Sequence, residues 1–313
     1  MSNRTQILRK PGHVVFDGVT FFSSAPIVVE LMEETVELTS QNFGKFDERP
    51  IGRMVSIKFT PQLFNADALA KLFPFGALAM GSSIISATDK PFDIHTTDGE
   101  RYRVPCGFLY KEPVMTWGPG QPILGEVEFR GIVGISADPG ALASYFAQSS
   151  TAYPGNAAWD EGDVITPNCT YSWSGGSASL WDDLDMAAPP AITTEAELVE
   201  DKAEGRGLIN VAITNYKVTM TAEPMNLTPA LVLAALGFGS PLGSSKAALG
   251  RDFKINATGA YGRLFNAVLK APSGLRYSSN DRVISPLTWE AQATFTTGTK
   301  QPLFSISTTD PDA

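Results

Sequence analysis

Residues 55–76, VSIKFTPQLFNADALAKLFPFG, return at 218–239 as VTMTAEPMNLTPALVLAALGFG, at a constant offset of 163 and without a gap. Whatever fold this stretch belongs to, the chain builds it twice. Val55, Ile57 and Phe59 alternate as a strand does, and Val218, Met220 and Ala222 answer them. Each copy then switches to helical spacing: Leu69, Leu72 and Phe73 stand at i, i+3 and i+4, matched by Val232, Ala235 and Leu236. Asn65 and Thr228 are the expected helix caps, the second followed by Pro229 at the favoured first helical position. Pro74 and Gly237 end the helices, and Phe75-Gly76 and Phe238-Gly239 close both units.

The likeness continues downstream. Gly81-Ser82-Ser83 meets Gly243-Ser244-Ser245, and FDIHTTDG from Phe92 meets FKINATGA from Phe253. GFLYKEP (107–113) aligns with NAVLKAP (266–272) through the shared Lys-x-Pro, and LGEVEF, ending at Phe129, aligns with WEAQATF, ending at Phe295. Upstream the match is weaker: Ile27–Ser40 stands opposite Ile192–Asp201, followed by the polar stretches QNFGKFDERPIG and KAEGRG. The expected plan is a mainly β protein of two tandem homologous domains with one short packed helix each. An N-terminal arm occupies 1–12, the first repeat 13–150, the second 151–300 and a C-terminal tail 301–313. The junction at 140–190 is rich in Pro, Gly, Ser and Asn, yet it holds Trp159, Trp173 and Trp181. Part of it is expected to fold as the first strands of the second unit.

Glycine (28) and proline (22) favour a turn-rich β fold over a helical bundle in this chain of 313 residues. No apolar run approaches a membrane span, and no signal-peptide core is expected at the start. Cys106 and Cys169 have no metal or disulfide spacing and read as small buried hydrophobes. The net charge is −9; residues 1–150 hold 13 basic and 16 acidic residues, and 151–313 hold 11 and 17. An acidic chain of this kind does not grip nucleic acid, although it can repel it.

Chemistry-bearing motifs are missing from the sequence. His13 falls at the end of the N-terminal arm, and His95 reads as a surface strand residue whose counterpart is Asn256. No GxSxG elbow, P-loop, HExxH or EF-hand loop occurs. GPGQP at 118–122 reads as a hairpin turn. Asp182, Asp183, Asp185, Glu195, Glu197, Glu200, Asp201 and Glu204 lack the converging spacing of a cation site and read as a solvated or lumen-facing acidic face. Asn168, Asn226 and Asn256 match glycosylation sequons without a secretion signal. No catalytic residue, metal or cofactor is expected. A duplicated β unit instead suits a geometric task, since six equivalent ring positions can be built from three double chains.

The polar stretch ending in DERPIGRMVSIKFTP, the short helix, the LFPFG breaker and the strand pair GFLYKEP…GEVEFRGI resemble tail tube (major tail) proteins of long-tailed bacteriophages. The resemblance covers most of 15–135 and returns, weaker, over about 190–300. It implies a β-sandwich, barrel-forming tail-tube fold whose sheets join around a ring to line a channel, with trimeric rings of pseudo-sixfold symmetry for a duplicated member. It implies an inter-ring loop in each copy, at Ser40–Gly52 (Gln41, Asn42, Lys45, Phe46, Asp47, Glu48, Arg49) and at Thr194–Gly207 (Glu195, Glu197, Glu200, Asp201, Lys202, Glu204). Both are expected to order only on assembly. The arm and the tail are expected to brace neighbours. The implied partners are copies of the chain, the tape measure, terminator and distal tail proteins, and double-stranded DNA transiently in the lumen, with no membrane. The implied place is the virion tail, assembled in the host cytoplasm. A distal-tail or tail-completion ring is the structural alternative. A carbohydrate-binding module stacking sugars on Trp117, Trp159 and Trp173 is the alternative from another class.

Overall fold

The computed structural model describes residues 13–42, 44–62, 66–96, 100–118, 121–134, 137–149, 169–174, 184–203, 206–225, 245, 249–257, 260–270, 286–293, 295–296, 299–300 and 302–307. The first repeat begins with β1 (His13–Phe16), β2 (Val19–Phe22), β3 (Val28–Ser40) and β4 (Gly44–Phe59), then helix α1 (Ala66–Leu72). It continues with β5 (Phe92–His95), β6 (Arg101–Val104), β7 (Cys106–Lys111), β8 (Met115–Gly118), β9 (Gln121–Leu124), β10 (Val127–Ile132) and β11 (Ala147–Ser149). The second holds β12 (Cys169–Ser174), β13 (Ala191–Ala203), β14 (Gly207–Ala222), β15 (Arg251–Ala257), β16 (Ala260–Leu269) and β17 (Leu287–Glu290). The small strands β18 (Phe295–Thr296), β19 (Thr299–Lys300) and β20 (Phe304–Ser307) follow. The chain is mainly β, as its composition implies.

In the first repeat, β11-β6-β5-β1-β2 form one sheet and β3-β4-β10-β7 another. They face each other through phenylalanines: Phe92 and Phe16, on the first sheet, each lie 4.9 Å from Phe129 on the second. The second repeat copies this contact with larger rings. Trp173 and Phe253 pack 6.0 and 5.0 Å from Trp289. The pairings make these counterparts: β12 lies on β15 as β1 lies on β5, and β17 lies on β14 as β10 lies on β4. The tryptophan Trp173 of the junction is thus the core residue of the second unit's first strand.

Among the described residues, one difference between the repeats falls at Pro105. It stands between β6 and β7 and has no N–H to give a ladder. At the counterpart, Phe265, β16 runs on unbroken, pairing with β15 along most of its length and with β17 at Val268 and Leu269. The two sheets therefore merge in the second repeat and, with β8 and β9 of the first, make one nine-stranded, nearly closed barrel-like sheet.

These registers correct the downstream alignment. Leu109 pairs with Phe129 and Leu269 with Trp289, so the counterpart of Phe129 is Trp289 rather than Phe295. Gly107 likewise matches Ala267, one residue away from the Lys-x-Pro alignment. A recurring Lys-x-Pro follows the strand and does not fix its register.

Two elements cross between repeats. The β8–β9 hairpin, within 13–150, adds to the edge of β13 through Thr116↔Ala191 and Met115↔Ile192. Within GPGQP, Gly118 pairs with Gln121, and residues 119 and 120 lie outside the described residues. At the far end, β20 lies within the expected tail and pairs with β16 of its own chain, where Phe304 is buried edge-on to Phe73. Buried residues from both repeats form a single core cluster.

Helix α1 packs as its spacing requires, with Leu69 and Leu72 buried and Phe73 half-buried against the same core. Asn65, Thr228, Val232, Ala235 and Leu236 lie outside the described residues. His13 and His95 depart from expectation. They are directly paired on β1 and β5, their rings stack at 5.1 Å, and His95 is only 5% exposed. The strand β5 is buried on both faces from Phe92 to His95, and the polarity of Asp93 and His95 disguised this in the sequence. Trp117 and Trp173 are 1% and 4% exposed, so neither offers a stacking face to a sugar; Trp159 lies outside the described residues. Cys106 is buried as expected, while Cys169 is half-buried.

Candidate assembly interface

The stretches expected to be loose loops are strands. β3 and β4 form one long antiparallel ribbon, and β13 and β14 form another. Both span the same residues at the offset of 163: Val28–Ser40 becomes Ala191–Ala203, and Gly44–Phe59 becomes Gly207–Ala222. The bulges recur too. Register shifts fall at Glu34/Thr35 and Leu38/Thr39 in one ribbon, and at Glu197/Leu198 and Asp201/Lys202 in the other. A left-handed glycine opens each returning strand, Gly44 at φ 69° and Gly207 at φ 75°. Among the described residues, this upstream half, weak in sequence, recurs in strand bounds and in register shifts. Its signal was hidden in the first ribbon, which is wetted on both faces near its tip. Its side chains are therefore free to vary, and polar residues replace the alternation that marks a strand.

Gln41 and Asn42 sit in the first ribbon's turn. Lys45 reaches Glu37 and Glu48, both at 2.7 Å, and Arg49 reaches Asp47 at 3.0 Å. Phe46 is on β4. These pairs are exposed and contribute little each. On the second ribbon, Glu195 faces Lys217 at 3.7 Å, Asp201 accepts from Asn210 at 2.9 Å, and Glu197 follows Ala196 along β13. Glu204 lies outside the described residues, as do Asp182 and Asp183. Among the described residues no group of acidic, histidine or cysteine side chains could hold a metal ion.

The second ribbon is docked on the first repeat. Leu208 and Val211 bury themselves with Cys106, Phe108 and Ile132, and Met54 packs alongside. Complete burial of two such side chains is worth about 1.5–3 kcal/mol each. Residues Gly81 to Ile84 zip onto β14: Ile213 accepts from the Gly81 N–H at 2.7 Å, and Val211 from that of Ile84 at 2.8 Å. Around this patch runs a polar cluster. The Arg130 guanidinium lies 3.2 Å above the Tyr110 ring and donates to Glu128 at 2.8 Å and to Glu200 at 3.2 Å. Lys202 pairs with Glu34. Glu200 and Lys202 thus join the two repeats, while Glu195 and Glu197 stay exposed.

Sequence reasoning missed two further residues. Glu112 is 4% exposed and accepts from the Phe75 N–H at 2.9 Å and the Tyr216 hydroxyl at 2.7 Å, tying the end of β7 to β14. Burial pushes its carboxyl up to about 7. Asp17, left-handed at φ 48° before Gly18, forms the β1–β2 turn and accepts from Lys71 and Lys90, whose hydrogen bonds hold its carboxyl below the usual range. The Asp-Gly pair between apolar runs was a legible hairpin signal.

No protein-family model matches this sequence, and no curated protein matches it.

Proposed function

We propose that this chain is a structural subunit that polymerises as stacked rings into a tube, the tail tube of a long-tailed bacteriophage. The observation that carries the reading is the pair of ribbons, identical in strand bounds and bulges, one docked on its neighbouring repeat. Such a chain is already a segment of a ring. Three chains would give six ribbons, and ribbon strands edge to edge would line a channel as a barrel. The excess of acidic residues disfavours adhesion of DNA passing through it. On this reading the partners are further copies, tape measure, terminator and distal tail proteins, with DNA only in transit. The protein works in the virion after assembly in the host cytoplasm. The ribbon tips, rather than loops, would meet the next ring.

Electron microscopy of purified, concentrated protein tests this, alone and with other tail proteins. Rings or tubes with threefold symmetry and sixfold modulation are expected. A chain that stays monomeric throughout would sink the idea. Copy number per virion distinguishes a tube, with many rings, from a single distal or completion ring.

A further inference from the structure

We propose that the first ribbon, β3–β4, docks on the second repeat of another copy of this chain, in the register the second ribbon uses on the first repeat. This rests on the reading that the chain assembles with itself, and holds whether or not the assembly is a viral tube. Three observations support it. The ribbons are geometric counterparts, so a surface that accepts one has a counterpart that accepts the other. The base of β13 is covered by β8, whereas β3 is the open edge of its sheet and exposes Val28, Leu31 and Met32. A long ribbon left without support is marginal in water.

The third observation identifies the occupant as a second copy, because the two surfaces have changed character together. Within the chain the contact is apolar: Leu208 and Val211 against Cys106, Phe108 and Ile132. The ribbon counterparts of Leu208 and Val211 are Lys45 and Glu48. The counterparts of Cys106, Phe108 and Ile132, on the accepting face, are Asn266, Val268 and Gln292, of which Val268 alone stays apolar. Tyr110, Met54 and Arg130 become Lys270, Lys217 and Glu290, and Glu290 holds both lysines, Lys270 at 3.0 Å and Lys217 at 4.0 Å. Glu37, the counterpart of the Glu200 that engages Arg130 and Tyr110, then meets this ion-paired cluster. An apolar ribbon would be mismatched on this polar face, and so would a polar ribbon on an apolar one. A permanent contact within one chain buries hydrophobes. A contact made only after the chains are folded and soluble is polar, with charge setting the register.

Gly207 touches Gly52 within the chain. The counterparts are Gly44, beside Lys45, and Asn215, both exposed. Chains carrying Lys45→Cys, Asn215→Cys or both are concentrated and treated with a short bismaleimide, with the unsubstituted chain as control for Cys106 and Cys169. The expected result is covalent dimers when the two single variants are mixed, and a ladder of dimers, trimers and larger species from the double variant. Dimers from Lys45→Cys alone would mean ribbon meets ribbon and would overturn the proposal. Absence of products from the mixture would overturn it too. Tubes without cross-links leave the tube reading standing and remove this docking mode; cross-links without rings or tubes do the reverse.

Discussion

Gly52 and Gly207 bring two ribbon backbones into direct contact: a Cβ on Gly52 would lie 2.9 Å from the Gly207 Cα, and one on Gly207 would lie 2.8 Å from the Gly52 Cα. Gly44, the counterpart of Gly207, has the same left-handed backbone but open space around it. The pair separates two costs. Gly44→Ala should lose about 1 kcal/mol, the conformational penalty alone. Gly207→Ala should lose about 2 kcal/mol or more, because backbone cannot move aside as a side chain can. Urea denaturation of both variants measures the difference, and equal losses would deny the contact.

Glu112 predicts a dependence on pH. Its carboxyl, raised from 4.5 to about 7, holds a proton more tightly in the folded chain than in the unfolded one. Stability from this group is therefore complete below about pH 4.5 and lost as pH rises through 7. The span is at most about 3 kcal/mol. Glu112→Gln keeps an acceptor for Tyr216 and Phe75 but cannot ionise. Its stability relative to the native chain should rise from pH 5 to pH 8, read by thermal melts across that range. A constant difference would show that the carboxyl does not titrate there.

The His13–His95 stack has the opposite sign. Burial lowers both imidazoles, and His95 lowers His13 further by charge. The stability they contribute is present above the unfolded value near 6.5 and is lost as pH falls through the lower folded values. His95→Asn, which installs the second repeat's residue, should blunt the loss of stability between pH 6.5 and 5. Melts that fall as steeply in the variant would reject the stacked pair as a source of acid sensitivity.

Leu72, fully buried on α1, should cost about 2–5 kcal/mol as Leu72→Ala and block folding as Leu72→Asp. If the second helix plays the same part, Ala235→Asp should also give insoluble protein. Soluble, assembling Ala235→Asp would count against equivalence of the two helices.

The sequence showed the repeat where apolar spacing recurs. Val55, Ile57, Leu69 and Leu72 line a core, and their periodicities survived in Val218 and Met220 and in the spacing of Val232, Ala235 and Leu236. It concealed the repeat in the ribbons, where shape is set by backbone pairing and bulges. There Lys45 and Leu208 occupy one position with opposite chemistry. The aromatic triad was also legible only after pairing: Phe16, Phe92 and Phe129 become Trp173, Phe253 and Trp289 at three different offsets, because turns between them differ in length. Glu112 had no signal, since nothing local distinguishes a carboxylate that closes a core from one that faces water.

The β8–β9 arm carries a consequence for how the chain is made. It has left the ribosome by Leu124, yet its acceptor strand starts at Ala191. At about 5–20 residues per second, the arm waits roughly 3–13 s for a partner. During that interval the nascent first half presents an unsatisfied strand edge, and neighbouring polysomal chains present the same one. Keeping emerging chains apart, or occupying that edge with a chaperone, would then govern yield in the cell as much as the stability of the finished fold does.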